Sequence, residues 1–238
     1  MEYFIHNSHL DSPQETLVNR TQRVILPLVN QKWHKWLPGV FMLLAALSRW
    51  PGLFPPNFSA FYALAFCAGS FFPANIKWWL PLLTLVLSDI ALNLYYYFGM
   101  GINAFQWWQL VNYAVFLLIV WFGSRFNPRG SFLRLLSGGI TGAILFYLIT
   151  NTAAWMFNPF NNPEYTKDLA GWIIALTKGT GGYPTTLEFF RNTLLSGGLF
   201  TGLFAGAMKL SAAPEESEET DPVAEDAQPD EAPEETKA

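Results

Sequence analysis

The sequence predicts an all-α, polytopic membrane protein, a bundle of about six transmembrane helices. Two observations carry that prediction. Of the 238 residues, 51% are hydrophobic and only 13% charged, whereas a water-soluble domain carries roughly 25% charged residues. Between Trp33 and Leu210, long apolar stretches recur, separated by short segments rich in Pro, Gly and Asn and edged by Trp. Much of this surface is therefore built for a solvent other than water.

Residues 1–32 are polar and of mixed charge, and read as a cytoplasmic arm. Glu2, Asp11, Glu15, Arg20 and Arg23 interrupt them, so they do not read as a signal peptide. Residues 33–210 read as the transmembrane domain. The first span is expected over Trp33 to Trp50, with its purely apolar part, Leu37 to Leu47, short for a bilayer that needs roughly 20 residues. A Pro-rich turn, Pro51 to Asn57, leads to a second short segment, Phe58 to Phe72. That segment is either a tilted span or part of a re-entrant hairpin, which is tolerated only where protein covers it. Clear spans follow over Trp78 to Tyr97, Trp107 to Phe122, Phe132 to Phe157 and Thr186 to Leu210. Between the last two, Asp168 to Thr177 has helical apolar spacing and begins with an acid, which suits a helix N-terminus. It reads as an interfacial or lid helix, with Gly179-Thr-Gly-Gly-Tyr-Pro184 as the hinge beyond it.

Residues 211–238 hold eleven of the eighteen acids and one base, and read as a disordered acidic tail. The rest carries thirteen bases against seven acids. The bases set the orientation. With the N-terminus inside, nine of them (Arg20, Arg23, Lys32, Lys35, Lys77, Arg125, Arg129, Arg134, Lys209) fall in inner segments, and Arg49, Lys167 and Lys178 in outer ones. The expected location is the inner (plasma) membrane, with both termini cytoplasmic.

Cysteine and histidine counts exclude several chemistries. Cys67 is the only cysteine, and His6, His9 and His34 all precede the clear spans. No metal site and no cofactor is expected. Gly179-Thr-Gly-Gly182 lacks the Gly-Lys-Ser/Thr of a phosphate-binding loop, and no nucleophile elbow or zinc motif occurs. The chain reads as no enzyme and no nucleic-acid binder.

Asp89 is the sharpest polar signal. It lies mid-way along the third span, where an ionised group costs about 2.5–3.5 kcal/mol on insertion scales. It should therefore face a cavity, a partner or a proton, unless it is a polar clamp between helices. Asn93, one turn on, is placed to hydrogen-bond it. Glu188 and Arg191 at i, i+3 allow an ion pair beside Asn192, either as a helix-end charge pair or as a polar rim. Asn151 and Trp155, near the end of the fifth span, are expected at the depth of Asn192 and Asn57. The substrate-binding set expected from these positions is Asp89, Asn93, Asn57, Asn151, Trp155, Arg191 and Asn192. Gln109 and Asn112 read as packing. Gly138 and Gly142, with Gly198, Gly202 and Gly206, form small-residue stripes that let helices approach closely.

Pro55-Pro56-Asn57-Phe58-Ser59, the small-residue run Ala63 to Gly69, Leu87-Ser88-Asp89, Thr150-Asn151 ahead of Trp155, and Phe189-Phe190-Arg191-Asn192-Thr193 occur in that order. The set resembles an uncharacterised bacterial family of small membrane proteins often labelled as transport proteins. Its layout is similar to the substrate-binding S-components of energy-coupling-factor transporters. The resemblance covers Leu37 to Leu210. It implies six helices, a ligand pocket near the outer face and docking to a partner membrane subunit, with no substrate specified. Two features depart from it. Ser196-Gly197 stands where Gly-Asp is expected, and the first span lacks an AxxxA stripe.

The function expected is small-solute transport or substrate capture, with the lipid bilayer, a small-molecule ligand and a partner membrane subunit as partners. The alternative is a non-transporting assembly or scaffold protein that recruits partners through the glycine faces and the acidic tail.

Overall fold

The computed structural model describes residues 36–212. The expectations for the N-terminal arm and the acidic tail fall outside the described residues. Within them the chain is all-α, with helices α1 (Leu37–Ser48), α2 (Phe61–Phe71), α3 (Trp79–Met100), α4 (Gln109–Gly123), α5 (Phe132–Phe157), α6 (Leu169–Thr177) and α7 (Thr186–Ala212). Three of these, α3, α5 and α7, are long and apolar enough to cross a membrane. The helices α1, α2 and α4 are apolar but have only 12, 11 and 15 residues. Length alone therefore supports three spans of the six expected.

The shortest of these, α2, is the centre of the molecule. Residues Phe61 to Ser70 are all buried, with α4, α7 and α5 packed around them. The condition that a short hairpin segment must be covered by protein is thus met at this helix. Its first amides are met from outside the helix. The Ala60 amide donates to Ser48 Oγ of α1 at 2.9 Å, and the Phe61 amide to Ser59 Oγ at 3.2 Å. The end of α1 therefore caps the start of α2 and fixes the hairpin.

Glycines set how closely the helices meet. A Cβ on Gly69 would lie 2.1 Å from the Val120 carbonyl oxygen, and one on Gly123 would lie 2.2 Å from that of Phe66. The α2 and α4 backbones are therefore in direct contact. Ser70 Oγ fastens them by donating to the Gly123 carbonyl at 2.9 Å. Between α5 and α7 the close approaches fall at Gly139, where a Cβ would lie 2.1 Å from Thr201 Oγ1, and at Gly197, 2.7 Å from Ala143 Cβ.

The expected glycine stripes divide. Gly138 sits under the Phe66 ring and Gly142 beside Ile119, so both pack towards α2 and α4. Gly198 and Gly202 make only ordinary contact with α5 side chains, and Gly206 has nothing within 4 Å of where its Cβ would be. The α7 stripe is thus one residue out of register with the true contact face. Helical periodicity allows either face, and it is the position of Thr201 on the opposing contact that selects Gly139.

The helices alternate in direction. Gly139 meets Thr201 while Tyr147 stacks on Phe190 at 4.1 Å, so α5 and α7 run antiparallel. Phe61 and Phe66 of α2 meet Phe116 and Gly123 of α4, so those two run parallel. One end of the bundle therefore gathers the end of α1, the start of α2, the start of α4, the end of α5 and the start of α7.

Candidate functional site

That end holds a cavity of about 950 Å³. The α1–α2 turn, the middle of α3, the start of α4, the last turns of α5 and the 179–186 strap form its walls. Aromatic rings dominate the lining, among them Trp50, Phe58, Tyr62, Trp108, Phe116, Phe146 and Tyr183. The polar side chains include Asn57, Gln109, Asn112 and Asn151. Among the described residues, only two charged ones reach the wall, Arg49 and Asp89.

Those two residues form an ion pair, with Arg49 Nη2 bonded to Asp89 Oδ1. The side chains are 22% and 8% exposed, so the pair sits at the cavity surface with the carboxylate on the inner side. Arg49 is anchored further. Its Nη1 donates to Ser88 Oγ at 2.7 Å and to the Leu85 carbonyl at 3.4 Å, and its guanidinium lies 5.3 Å from the Phe61 ring centroid. Arg49 is able to reach the middle of α3 because α1 has only 12 residues. A helix that short ends well inside the thickness that α3 spans.

The pair corrects the expectation for Asn93. That residue was expected to bond Asp89, but Arg49 takes the carboxylate, and Asn93 Nδ2 is buried without a partner among the described residues. Asn93 is also absent from the cavity wall. The Glu188–Arg191 pair is corrected as well. The Glu188 carboxylate accepts the Thr185 amide at 2.7 Å while Thr185 Oγ1 accepts the Glu188 amide at 3.2 Å. This reciprocal capping box uses the acid to start α7, and Arg191 is exposed and off the wall.

Of the seven candidates, Asp89, Asn57 and Asn151 line the cavity. Asn192 holds its rim by donating to the Pro56 carbonyl at 2.9 Å. The expectation that Asn192 and the Pro56-Asn57 turn share one depth is thereby met. Asn57 takes a left-handed φ of 61°, which places the turn and which Asn tolerates better than most residues. Trp155 serves the fold instead, since its Nε1 donates to the Thr166 carbonyl at 2.6 Å. Gln109 and Asn112, expected to pack between helices, are on the wall.

The expected lid helix is fastened down. Trp172 Nε1 donates to Thr152 Oγ1 at 3.0 Å, and the Tyr147 hydroxyl donates to the Leu176 carbonyl, so both ends of α6 are tied to α5. Lys167 Nζ, ahead of α6, caps the C-terminus of α5 through the carbonyls of Trp155 (2.6 Å) and Met156 (2.7 Å). The strap after α6 lines the cavity mouth. It turns at Gly179 and Gly182, whose φ angles are 75° and 86°.

As the sequence suggested, Asp168 starts α6, and its carboxylate accepts the Gly171 amide at 2.8 Å and the Thr166 hydroxyl at 2.7 Å. The Gly171 amide, and then the Thr166 hydroxyl, hold its carboxyl below the ordinary carboxylate range. A folded pKa below the unfolded one stabilises the cap above the unfolded value, near 4, and that stability is lost as the pH falls through the folded value. Hydrogen exchange at the Gly171 amide is therefore expected to accelerate several-fold beyond the intrinsic trend on acidification below pH of about 4. Asp168→Asn, which caps without titrating, is expected to remove that acceleration.

Sequence reasoning missed Arg49, Tyr62, Gln109 and Asn112. The available signal for Arg49 was its place at the end of a segment too short to cross, next to Trp50-Pro51. Among the described residues no group of three or more His, Cys, Asp or Glu is placed to hold a metal.

Neither the curated proteins nor the solved structures include a match to this chain. A family model does match, over residues 29–219, which takes in all the helices and cavity-lining residues described above. The chain belongs to the family of unknown function DUF6580.

Proposed function

We propose that this protein captures a small organic solute in the cavity at the α1–α2 turn, as a membrane transport protein or as the substrate-capture subunit of one. The observation that carries this reading is a cavity of about 950 Å³ with an ion pair in its wall. Pockets for small molecules are commonly in the range of about 300–1,000 Å³, mostly apolar with a few placed polar groups. A charge at mid-helix is costly to keep, so an acid held there marks a functional site by default.

The charges support an outward-facing mouth. Lys77, Arg125, Arg129, Arg134 and Lys209 fall on the turns and helix end opposite the cavity, and Lys209 Nζ donates to the Gly130 carbonyl across that end at 2.7 Å. Basic loops favour the cytoplasmic side, which turns the cavity outward from the inner (plasma) membrane. The capture role and a partner membrane subunit draw on the resemblance of the sequence layout to S-components. The scaffold alternative loses support from α7, because Gly198 and Gly202 contact α5 and only Gly206 is left open.

Native mass spectrometry of the full chain, released gently from detergent, tests the reading. The expected spectrum carries an added mass of small-molecule size that collisional activation removes. Asn112→Trp, which projects a large ring from the wall into the cavity, is expected to reduce that mass. A spectrum of bare protein only, from membranes and from cell extract added back, counts against capture.

A further inference from the structure

The cavity wall has a charge balance that restricts what it can hold. Among the described residues, Arg49 and Asp89 are its only charged ones, and they neutralise each other. Arg49 has further partners in Ser88 Oγ and the Leu85 carbonyl, and Asp89 is 6% exposed. Neither charge is free to serve as the counter-ion of a ligand without uncovering the other. A buried charge left without a partner is strongly disfavoured. A ligand of net charge would face this cost on entering.

The shape of the wall adds a second restriction. Tyr62, Phe116 and Phe146 form a triangle of rings, with centroids 6.1 Å, 4.8 Å and 5.1 Å apart. All three rings border the cavity. Aromatic faces of this kind favour a flat partner. A third observation points to what the flat partner carries. Asn57, Asn112 and Asn151 stand in the same wall, and a side-chain amide carries both a donor and an acceptor. A ring bearing both an N–H and a C=O would match such amides.

We infer that the ligand of this cavity is a planar ring compound of zero net charge that carries hydrogen-bond donors and acceptors. The assignment rests on the capture reading above and names the substrate class for that same site. Selection against charge arises from the closed Arg49–Asp89 pair, and selection for a ring arises from the aromatic wall.

The test is equilibrium dialysis of the full chain in lipid nanodiscs, with empty nanodiscs as the blank, at pH of about 8. The probes share one bicyclic ring: quinolin-2-one is uncharged, quinoline-2-carboxylate is an anion and N-methylquinolinium is a cation. Quinolin-2-one is expected to bind saturably and at least about tenfold more tightly than either ion. Asn112→Asp puts one unpaired negative charge in the wall and leaves the ion pair intact. It is expected to move the preference to N-methylquinolinium. Equal or tighter binding of an ion by the unaltered chain overturns the assignment, as does no saturable binding of quinolin-2-one at millimolar concentration. An unchanged order of preference in Asn112→Asp overturns it too. Failure here is distinguishable from failure of capture, because a co-purified solute of net charge upholds capture and overturns only the neutral-ring assignment.

Discussion

Replacing Arg49 with Gln, or Asp89 with Asn, is expected to lower stability sharply, by as much as about 3–5 kcal/mol for a fully buried pair. The Arg49 side chain keeps 22% of its surface exposed, so its loss should fall towards the low end. Loss of the arginine leaves the carboxylate of a side chain that is 8% exposed without its counter-ion. Loss of the carboxylate leaves the guanidinium with Ser88 Oγ and the Leu85 carbonyl alone. From the sequence alone, Asp89→Asn is expected to keep the fold and abolish ligand binding. Finding Arg49 as the partner changes that expectation, since the variant also strands a charge. The double variant Arg49→Gln, Asp89→Asn is expected to recover most of the stability, because removing both members of a buried pair is often close to neutral. Thermal unfolding in detergent, followed by size-exclusion recovery of all three variants, decides the matter. A double variant no more stable than the worse single would show that the two losses are independent and that the pair is not what holds α1 to α3.

Gly69→Ala and Gly123→Ala are the other substitutions with a large expected effect. Each added methyl would collide with backbone, at 2.1 Å and 2.2 Å, and backbone cannot step aside as a side-chain end can. Overpacking of this kind costs about 1–3 kcal/mol and occasionally more. Both sites lie where α2 is covered on all sides, so the helices must separate or α2 must shift along its axis. A shift would also strain the Ser70–Gly123 hydrogen bond and the capping of Ala60 by Ser48. The expected result is a marked fall in the yield of monodisperse protein and in its melting temperature. Gly206→Ala has open space around it and is the matched control, with alanine expected to be neutral or mildly stabilising through helix propensity. Equal behaviour of the three variants would mean that the α2–α4 contact is not tight.

The contrast between these two predictions shows which parts of the molecule were legible beforehand. The α5 boundaries, Phe132 to Phe157, follow from the apolar run between Ser131 and Asn158, and the structure keeps them. The start of α6 at Asp168 follows from the preference of helix N-termini for acids, and it too is kept. Asp89 stands out because a charge in an apolar helix is rare for energetic reasons. Each of these is a local property, set by residues within a few turns of one another.

The partner of Asp89 was not local. Arg49 lies 40 positions earlier, and the i+4 rule pointed to Asn93 because that rule sees only one helix. Choosing between the two required the length of α1 and its tilt against α3. The glycine contacts behaved in the same way. Spacing identified Gly138, Gly142, Gly198, Gly202 and Gly206, but the tightest approaches between helices are at Gly69, Gly123 and Gly139.

The sequence by itself determined the solvent-facing chemistry of this protein: helices rich in apolar side chains, short polar turns between them, one acid in the middle of a long helix and cationic turns at one end. These follow from composition and from the 3.6-residue repeat, which require no knowledge of neighbours. Only the tertiary structure decided that an 11-residue helix buried from Phe61 to Ser70 stands at the centre, that Arg49 closes on Asp89, and that the space above them is lined by aromatic rings. The physical reason is that a cavity, an ion pair and a backbone contact are each made by segments far apart in the chain. The packing of those segments is set by shape and by which polar groups find partners, and neither is written in the periodicity of any one of them.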